Sequence, residues 1–270
     1  MTRYTANCSI LFPDVPLLAR PAAAAAAGFD AVEFWWPFPA SVPGDAEVDA
    51  FVAAIRDAGV RLTGLNFAAG DMAAGDRGLA SWPGRELEFR DAVAVAVGIA
   101  GQLGTHVFNG LYGNRQDGVR PEDQDELAAR NLAFAAAAAA GIGATVVLEP
   151  LSGASRYPLL TAADALAAAD RVGAPNIALL ADLYHLAVNG DDLAAVIDRH
   201  AARIGHVQIA DAPGRHEPGT GDIKFTEHLG ALEAAGYAGW VGLEYAPTDA
   251  ATAFDWLPRE LRTTRQEPTK

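Results

Sequence analysis

The chain has 270 residues, 51% of them hydrophobic, enough for one large core and close to the usual length of a single α/β barrel. With 34 Asp plus Glu against 20 Lys plus Arg, the formal net charge is -14. That balance excludes nucleic acid and anionic membrane surfaces as partners and requires local positive charge wherever an anionic substrate enters. Cys8 is the only cysteine, so no intramolecular disulfide can form, which fits a reducing cytoplasm. The opening MTRYTANCSILFPD lacks the long apolar segment of a signal peptide.

In chain order, TANCSI (residues 5–10) reads as a first strand. Seven glycines then each precede a short apolar run. They are Gly28 before AVEFWW, Gly59 before RLTGLNF, Gly104 before HVFNGLY, Gly141 before ATVVLEP, Gly173 before IALLAD, Gly205 before HVQIAD and Gly236 before WVGLEY. The intervals are 31 to 45 residues, each filled by an Ala-rich stretch of helical character that the glycine stops. The apolar runs alternate weakly, as strands buried on both faces do. Eight such units with right-handed crossovers predict a single (β/α)8 TIM barrel spanning residues 1–270 as one domain. An open doubly wound sheet is the alternative, but no Gly-rich phosphate fingerprint follows the first strand. The short poly-Ala runs at 22–27 and 135–140 read as helix. The polar tail from Leu257 to Lys270 is expected to fray.

Chemistry gathers where strands end. Glu149 ends the fifth strand, Asp182 the sixth, Gln208 lies on the seventh and Glu244 ends the eighth. Neighbouring strands of a barrel would bring the four to one rim, with Glu149 and Glu244 facing each other. Three carboxylates converging with no Arg or Lys nearby would repel, and a divalent cation resolves the conflict. The all-oxygen donor set suits Mg or Mn. His185, three residues after Asp182, and Arg215, in the loop after Gln208, could each bond an oxygen-rich substrate or serve structure alone; Arg215 suits a carboxylate. Asn66 and Asn109 point to the same rim, as ligands or caps. Trp35 and Trp36 after Glu33 could wall a pocket or simply pack. His106 and His206 begin strands at the far rim and read as structural. The long segment 68–84 follows a strand and reads as a lid or clamp.

Several segments carry a resemblance: ANCSILF, GFDAVEF, AAGDMAAGDRGLASWPGRELEFRDAVA, LEP, DLYH, IGHVQIADAPGRHEPGTGDI and GWVGLEY. Together they resemble the hydroxypyruvate isomerase family of xylose-isomerase-like TIM barrels, over nearly the whole chain. The resemblance implies a divalent metal at Glu149, Asp182, Gln208 and Glu244, with the two glutamates as acid–base pair, and substrate contacts from His185 and Arg215. Asn66 and Lys224 join them as candidate substrate contacts. The chain departs from the family pattern at Met72, Asp76, Lys224 and in PLSGASRYP after Glu149. The implied reaction interconverts hydroxypyruvate and 2-hydroxy-3-oxopropanoate (tartronate semialdehyde) through an enediolate. A 2-oxo-tetronate isomerase, a ketose 3-epimerase and a non-catalytic sugar-acid binding barrel are the alternatives. The expected partner is a small anionic hydroxy- or oxo-acid, and a homo-oligomer is left open.

Overall fold

The computed structural model describes residues 2–264. Eight parallel strands close into a barrel in strict chain order. They are β1 (Arg3–Asn7), β2 (Ala31–Phe34), β3 (Arg61–Asn66), β4 (Val107–Asn109), β5 (Thr145–Leu148), β6 (Ile177–Asp182), β7 (Ile204–Ile209) and β8 (Trp240–Leu243). Pairing of Arg3 through Ala6 with Trp240 through Leu243 shuts the ring. Helices α1 (Cys8–Leu11), α2 (Arg20–Ala26), α3 (Asp45–Asp57), α4 (Glu86–Leu103), α5 (Pro121–Ala140), α6 (Ala162–Val172), α7 (Leu183–Val188), α8 (Leu193–His200) and α9 (Phe225–Ala234) lie between the strands. No described helix is long and apolar enough to cross a membrane.

The alanines fulfil their helical expectation and add a packing role. Helix α4 buries Phe89, Ala92, Val93, Ala96, Ile99 and Ala100, at helical spacing. The buried face of α5 includes Leu132, Ala135, Ala136 and Ala139. Small side chains let these helices press against each other and against the sheet. The glycine rule holds at Gly104 and Gly173, which cap α4 and α6 in the left-handed region, but not at Gly141, which caps α5 in the right-handed region at φ -58. Gly205 follows a different logic, since it lies within β7. A Cβ there would sit 2.8 Å from Val147 Cγ1 and 2.9 Å from Ala178 Cβ.

Three expectations need correction. The first strand begins earlier than TANCSI and stops at Asn7, because the Asn7 side chain accepts a hydrogen bond from Ser9 N (3.1 Å) and turns CSIL into helix. The tail does not fray at Leu257, which is buried. Beyond it Arg259 and Arg262 donate to the carbonyls of Ala26 (2.9 Å) and Ala27 (2.9 Å) at the end of α2, and Thr264 Oγ1 donates to Asp30 (2.7 Å). The rest of the predicted tail, 265–270, lies outside the described residues. Segment 68–84 is anchored through its second half: Ser81 N donates to Tyr112 O (2.8 Å), and Asn131 and Gln124 hold the carbonyls of Ala80 (2.9 Å) and Ser81 (3.0 Å). Its exposed residues are Asp71, Ala73, Ala74 and Gly75 at the tip and Pro83 and Gly84 just before α4.

Candidate active site

Strand register brings the candidate residues to one rim. Asp182 on β6 pairs with Gln208 on β7, which pairs with Gly242 two residues before Glu244. Asn66 pairs with Asn109, and Glu149 directly follows β5. All are buried, Asp182 completely.

Glu149 and Asp182 are each held by one oxygen, and Gln208 by its amide nitrogen. Glu149 Oε2 accepts from Asn109 Nδ2 (2.6 Å), Asp182 Oδ1 from the Tyr184 amide (2.9 Å), and Gln208 Nε2 donates to Glu33 Oε1 (2.8 Å). That leaves Glu149 Oε1, Asp182 Oδ2 and Gln208 Oε1 buried with no hydrogen-bond partner. Buried oxygens normally find one, so these three, with Asn109 Oδ1 as a fourth orphan at the same rim, call for an occupant. Glu149, Asp182 and His185 offer ligand atoms within 4.8 Å of one another. The free oxygens are hard donors, so the site fits a divalent cation of the Mg or Mn kind.

His185 is better suited to donate than to ligate. Its Nδ1 lies 3.0 Å from the Ser152 amide, which can only donate, so Nδ1 carries the lone pair and the proton sits on Nε2. Nε2–H then faces Asp182 Oδ2 (3.7 Å) and Glu149 Oε1 (3.9 Å). Burial pushes the His185 pKa down to about 4, against the pull of Asp182 and aided by Arg215 and Arg77. The ring is therefore neutral at neutral pH.

Glu244 departs from the expected picture. The carboxylates are not free of arginine: Arg215 Nη2 bonds Glu244 Oε1 and approaches Asp182 Oδ2 to 3.9 Å. Glu244 Oε1 also accepts from Trp35 Nε1 (3.2 Å), and Oε2 from Asn7 Nδ2 (3.0 Å). Trp35 thus belongs to the site, whereas Trp36 packs on Phe38. Burial raises the Glu244 pKa well above the ordinary carboxylate value; Arg215 opposes it, and Glu149 and Asp182 reinforce it. Glu149 is pushed to about 8 by burial first and Asp182 second. For Arg215 burial would lower the pKa, but Glu244 and Asp182 outweigh it and the net shift is upward.

Arg215 is aimed by its loop. It holds φ 60, a left-handed conformation that ordinary side chains avoid. The fully buried Asp211 fixes that loop by accepting from Gly219 N (2.8 Å) and Ile223 N (3.0 Å), and its carbonyl accepts from Arg215 N (2.9 Å). Lys224 is not brought to the cluster. It precedes α9 with its side chain 70% exposed and Glu227 as ion-pair partner at 3.9 Å, so its proposed substrate contact is withdrawn. Asn66 lines a small void beneath the carboxylates with Asn7, Glu33, Asn109, His206 and Gln208. A larger cavity, lined by Arg3 and Tyr237, opens at the N-terminal end of the strands, remote from this chemistry.

Sequence reasoning missed Asn7 and Ser152 as members of the site and reached Arg77 only as a charged residue of the 68–84 loop. Arg77 is held by the carbonyls of Met72 (3.0 Å) and Asp76 (2.6 Å). Among the described residues no carboxylate pairs with it. A charged residue beside Gly78 in a loop expected to line the rim was the available signal.

The model of the xylose isomerase-like TIM barrel family matches residues 21–260. A Streptomyces coelicolor protein, provisionally named a hydroxypyruvate isomerase, is 53% identical over 97% of this chain and 98% of its own. The chain belongs to the hydroxypyruvate isomerase family of xylose isomerase-like TIM barrels. A 2-oxo-tetronate isomerase of Cupriavidus necator is 39% identical, covering 95% of this chain and 98% of that one. A solved structure from Brucella melitensis, described as an AP endonuclease of family 2, superposes with a TM-score of 0.85 at 35% identity, over 95% of this chain and 98% of that one. Like its named relatives in this family, the protein is an isomerase.

Proposed function

We propose that the chain is a divalent-cation-dependent isomerase interconverting hydroxypyruvate and 2-hydroxy-3-oxopropanoate. The observation that carries this reading is the set of three orphaned buried oxygens, Glu149 Oε1, Asp182 Oδ2 and Gln208 Oε1. The names of its relatives support the substrate class, since both are isomerases of small oxo-acids. A cation bound to those oxygens would act as a Lewis acid toward adjacent substrate oxygens.

The remaining chemistry belongs to side chains. One of Glu149 and Glu244 takes a proton from C3 of hydroxypyruvate, giving an enediolate. A proton is then returned to C2, while the hydroxyl proton passes between the neighbouring oxygens. In the cation-free site burial raises the pKa of both glutamates. His185 presents Nε2–H as a neutral donor to a substrate oxygen. Arg215 would turn from Glu244 to the substrate carboxylate, so substrate entry would free Glu244 for proton transfer. Arg77, with no carboxylate partner among the described residues, would share the substrate's charge.

The test is an NMR assay with a panel of three- and four-carbon 2-oxo-3-hydroxy acids and several divalent ions. Turnover of hydroxypyruvate with Mg or Mn is expected. Turnover of the tetronates alone would reassign the substrate to the four-carbon class. Binding without turnover of any acid would make the barrel a binding module.

Arg215→Lys keeps the charge but loses the planar fork. It is expected to raise KM and to lower kcat/KM by about 1.5–3 kcal/mol, the value of a hydrogen bond to a charged group. Steady-state kinetics on the acid check this; unchanged constants would pass the carboxylate contact to Arg77.

A further inference from the structure

A buried polar network lies one layer beneath the proposed cation oxygens, and its centre is a residue that no step above uses. Glu33 is 3% exposed on β2, a strand otherwise made of Ala, Val and Phe. Its Oε1 accepts from Gln208 Nε2 (2.8 Å) and from Asn7 Nδ2 (3.1 Å), and its Oε2 lies 2.7 Å from His206 Nε2. Asn7 Nδ2 also reaches Glu244 Oε2 (3.0 Å). One carboxylate on β2 thus touches β1 and β7 and, through Asn7, the residue that ends β8. The backbone yields room for it: a Cβ on Gly242 would stand 2.5 Å from Glu33 Oε1 and 2.8 Å from Gln208 Cγ.

Gln208 is the one uncharged member of the proposed ligand set, and it is the one with a wrong way round. A carboxylate has no wrong face, since both of its oxygens can bind a cation. An amide offers an oxygen on one side and an NH2 on the other, and an NH2 directed at a cation repels it. The two orientations fill the same space, so packing cannot choose between them. An ionised carboxylate accepts and never donates. Glu33 therefore draws the NH2 toward itself, which leaves Oε1 on the far side, where it has no partner. His206 occupies the other oxygen of Glu33 and keeps the carboxylate from swinging away.

We infer that Glu33 is the positioning residue that sets the amide orientation of Gln208, so that its oxygen faces the cation site, and that through Asn7 it also steadies Glu244. The inference rests on the proposed cation site and adds to it a determinant on the opposite side of the barrel. Outer partners of this kind commonly govern metal affinity as strongly as they govern activity.

The test is Mn2+ binding to the purified full chain without substrate, by isothermal titration and by the electron paramagnetic resonance of free Mn2+. Glu33→Gln allows the introduced amide to donate to Gln208 Oε1, so the Gln208 amide can turn its NH2 to the site. Affinity is expected to fall about 10- to 100-fold. Adding Gln208→Glu to Glu33→Gln restores affinity to at least the wild-type value, because a carboxylate at 208 presents an oxygen whichever way it turns. A residue that merely supported the fold would not be rescued in this way. Glu33→Asp keeps the charge but draws the carboxylate back from Gln208, and it too is expected to bind Mn2+ more weakly. Any of the single variants that folds and binds Mn2+ like wild type overturns the inference, as does a double variant that folds but remains weak. If the wild-type chain itself binds no Mn2+, the cation reading fails and the inference fails with it.

Discussion

Glu149→Gln and Glu244→Gln are each expected to lower kcat by ~10²–10⁴-fold, the usual contribution of a positioned general base. Both substitutions keep the shape of the side chain and one oxygen but remove the ability to accept a proton from carbon. In the wild-type enzyme run in deuterium oxide, a proton that passes through a carboxylate can exchange, so deuterium should appear on product carbon. A hydride shift would carry the substrate hydrogen across unchanged. Metal content must be measured in each variant, because Glu149 also offers one of the three orphaned oxygens. If both variants remain metallated and keep near-wild-type kcat, the two-glutamate mechanism is wrong. The proton acceptor would then have to be sought elsewhere at the rim. The variants should also differ from each other. Glu149→Gln keeps Asn109 as neighbour, whereas Glu244→Gln removes the anion that Arg215 pairs with, so its KM is expected to change as well.

Removal of the divalent cation is expected to abolish turnover, with Mg or Mn restoring it. Full activity in a preparation shown by elemental analysis to be metal-free would sink this. The binding should depend steeply on pH. In the metal-free protein Glu149 holds its proton up to about 8, because burial and Asp182 both oppose the charged form. A cation must displace that proton, so its affinity should drop about tenfold per pH unit below that value for each proton released. Stability of the metal-free protein carries the same signature. Between the ordinary glutamate pKa and about 8 Glu149 binds its proton in the native state but not in the unfolded chain, so its own contribution to stability falls as pH rises. His185, depressed to about 4, contributes the opposite sign below the ordinary histidine value. Above the ordinary histidine pKa, where His185 no longer contributes, the Glu149 part of the slope of unfolding free energy against pH is negative. The contribution of Glu149 is fully present below the unfolded-state pKa and is lost as pH rises through about 8. Saturating cation should flatten this decline, and at one hundred times Kd it should add about 2.7 kcal/mol of stability. Thermal unfolding across pH 5 to 9, with and without Mn2+, measures both. A metal-free protein whose stability rises between about pH 7 and 8, above the window of His185, would contradict the environment assigned to Glu149.

The barrel and its functional rim could be read from the sequence because strand and chemistry share one signal. An apolar run that ends in Glu149, Asp182 or Glu244 declares both the strand and the end that carries polar groups. Adjacency of Asp182 to Gln208 then follows from register. Other features depend on contacts that leave no local trace. Arg215 has its partner Glu244 on another segment, and a loop's sequence does not say which way its arginine turns. The role of Glu33 depends on His206 and Gln208, more than 170 residues away; its local sign was an acid inside the buried AVEF. Lys224 looked suitable by charge alone, yet its position before α9 turns it to solvent. The first strand was misplaced because CSI suits a strand as well as a helix, and the Asn7 cap decides between them. The tail was misjudged for the opposite reason. Its polar composition suggests solvent, while Arg259 and Arg262 find backbone carbonyls to bond.

Closure of the ring by Arg3 against Trp240 has a consequence for the protein while it is being made. At about 5–20 residues per second, β1 waits on the order of ten seconds to a minute before its second neighbour leaves the ribosome. During that time the growing sheet has two unpaired edges, one at β1 and one at the newest strand. Either can accept a strand from another nascent chain. The clasp of Thr264 on Asp30 arrives later still. Expression yield should therefore respond to translation speed and chaperone supply more strongly than the stability of the finished barrel would suggest, and a chain interrupted before β8 should be recovered as aggregate.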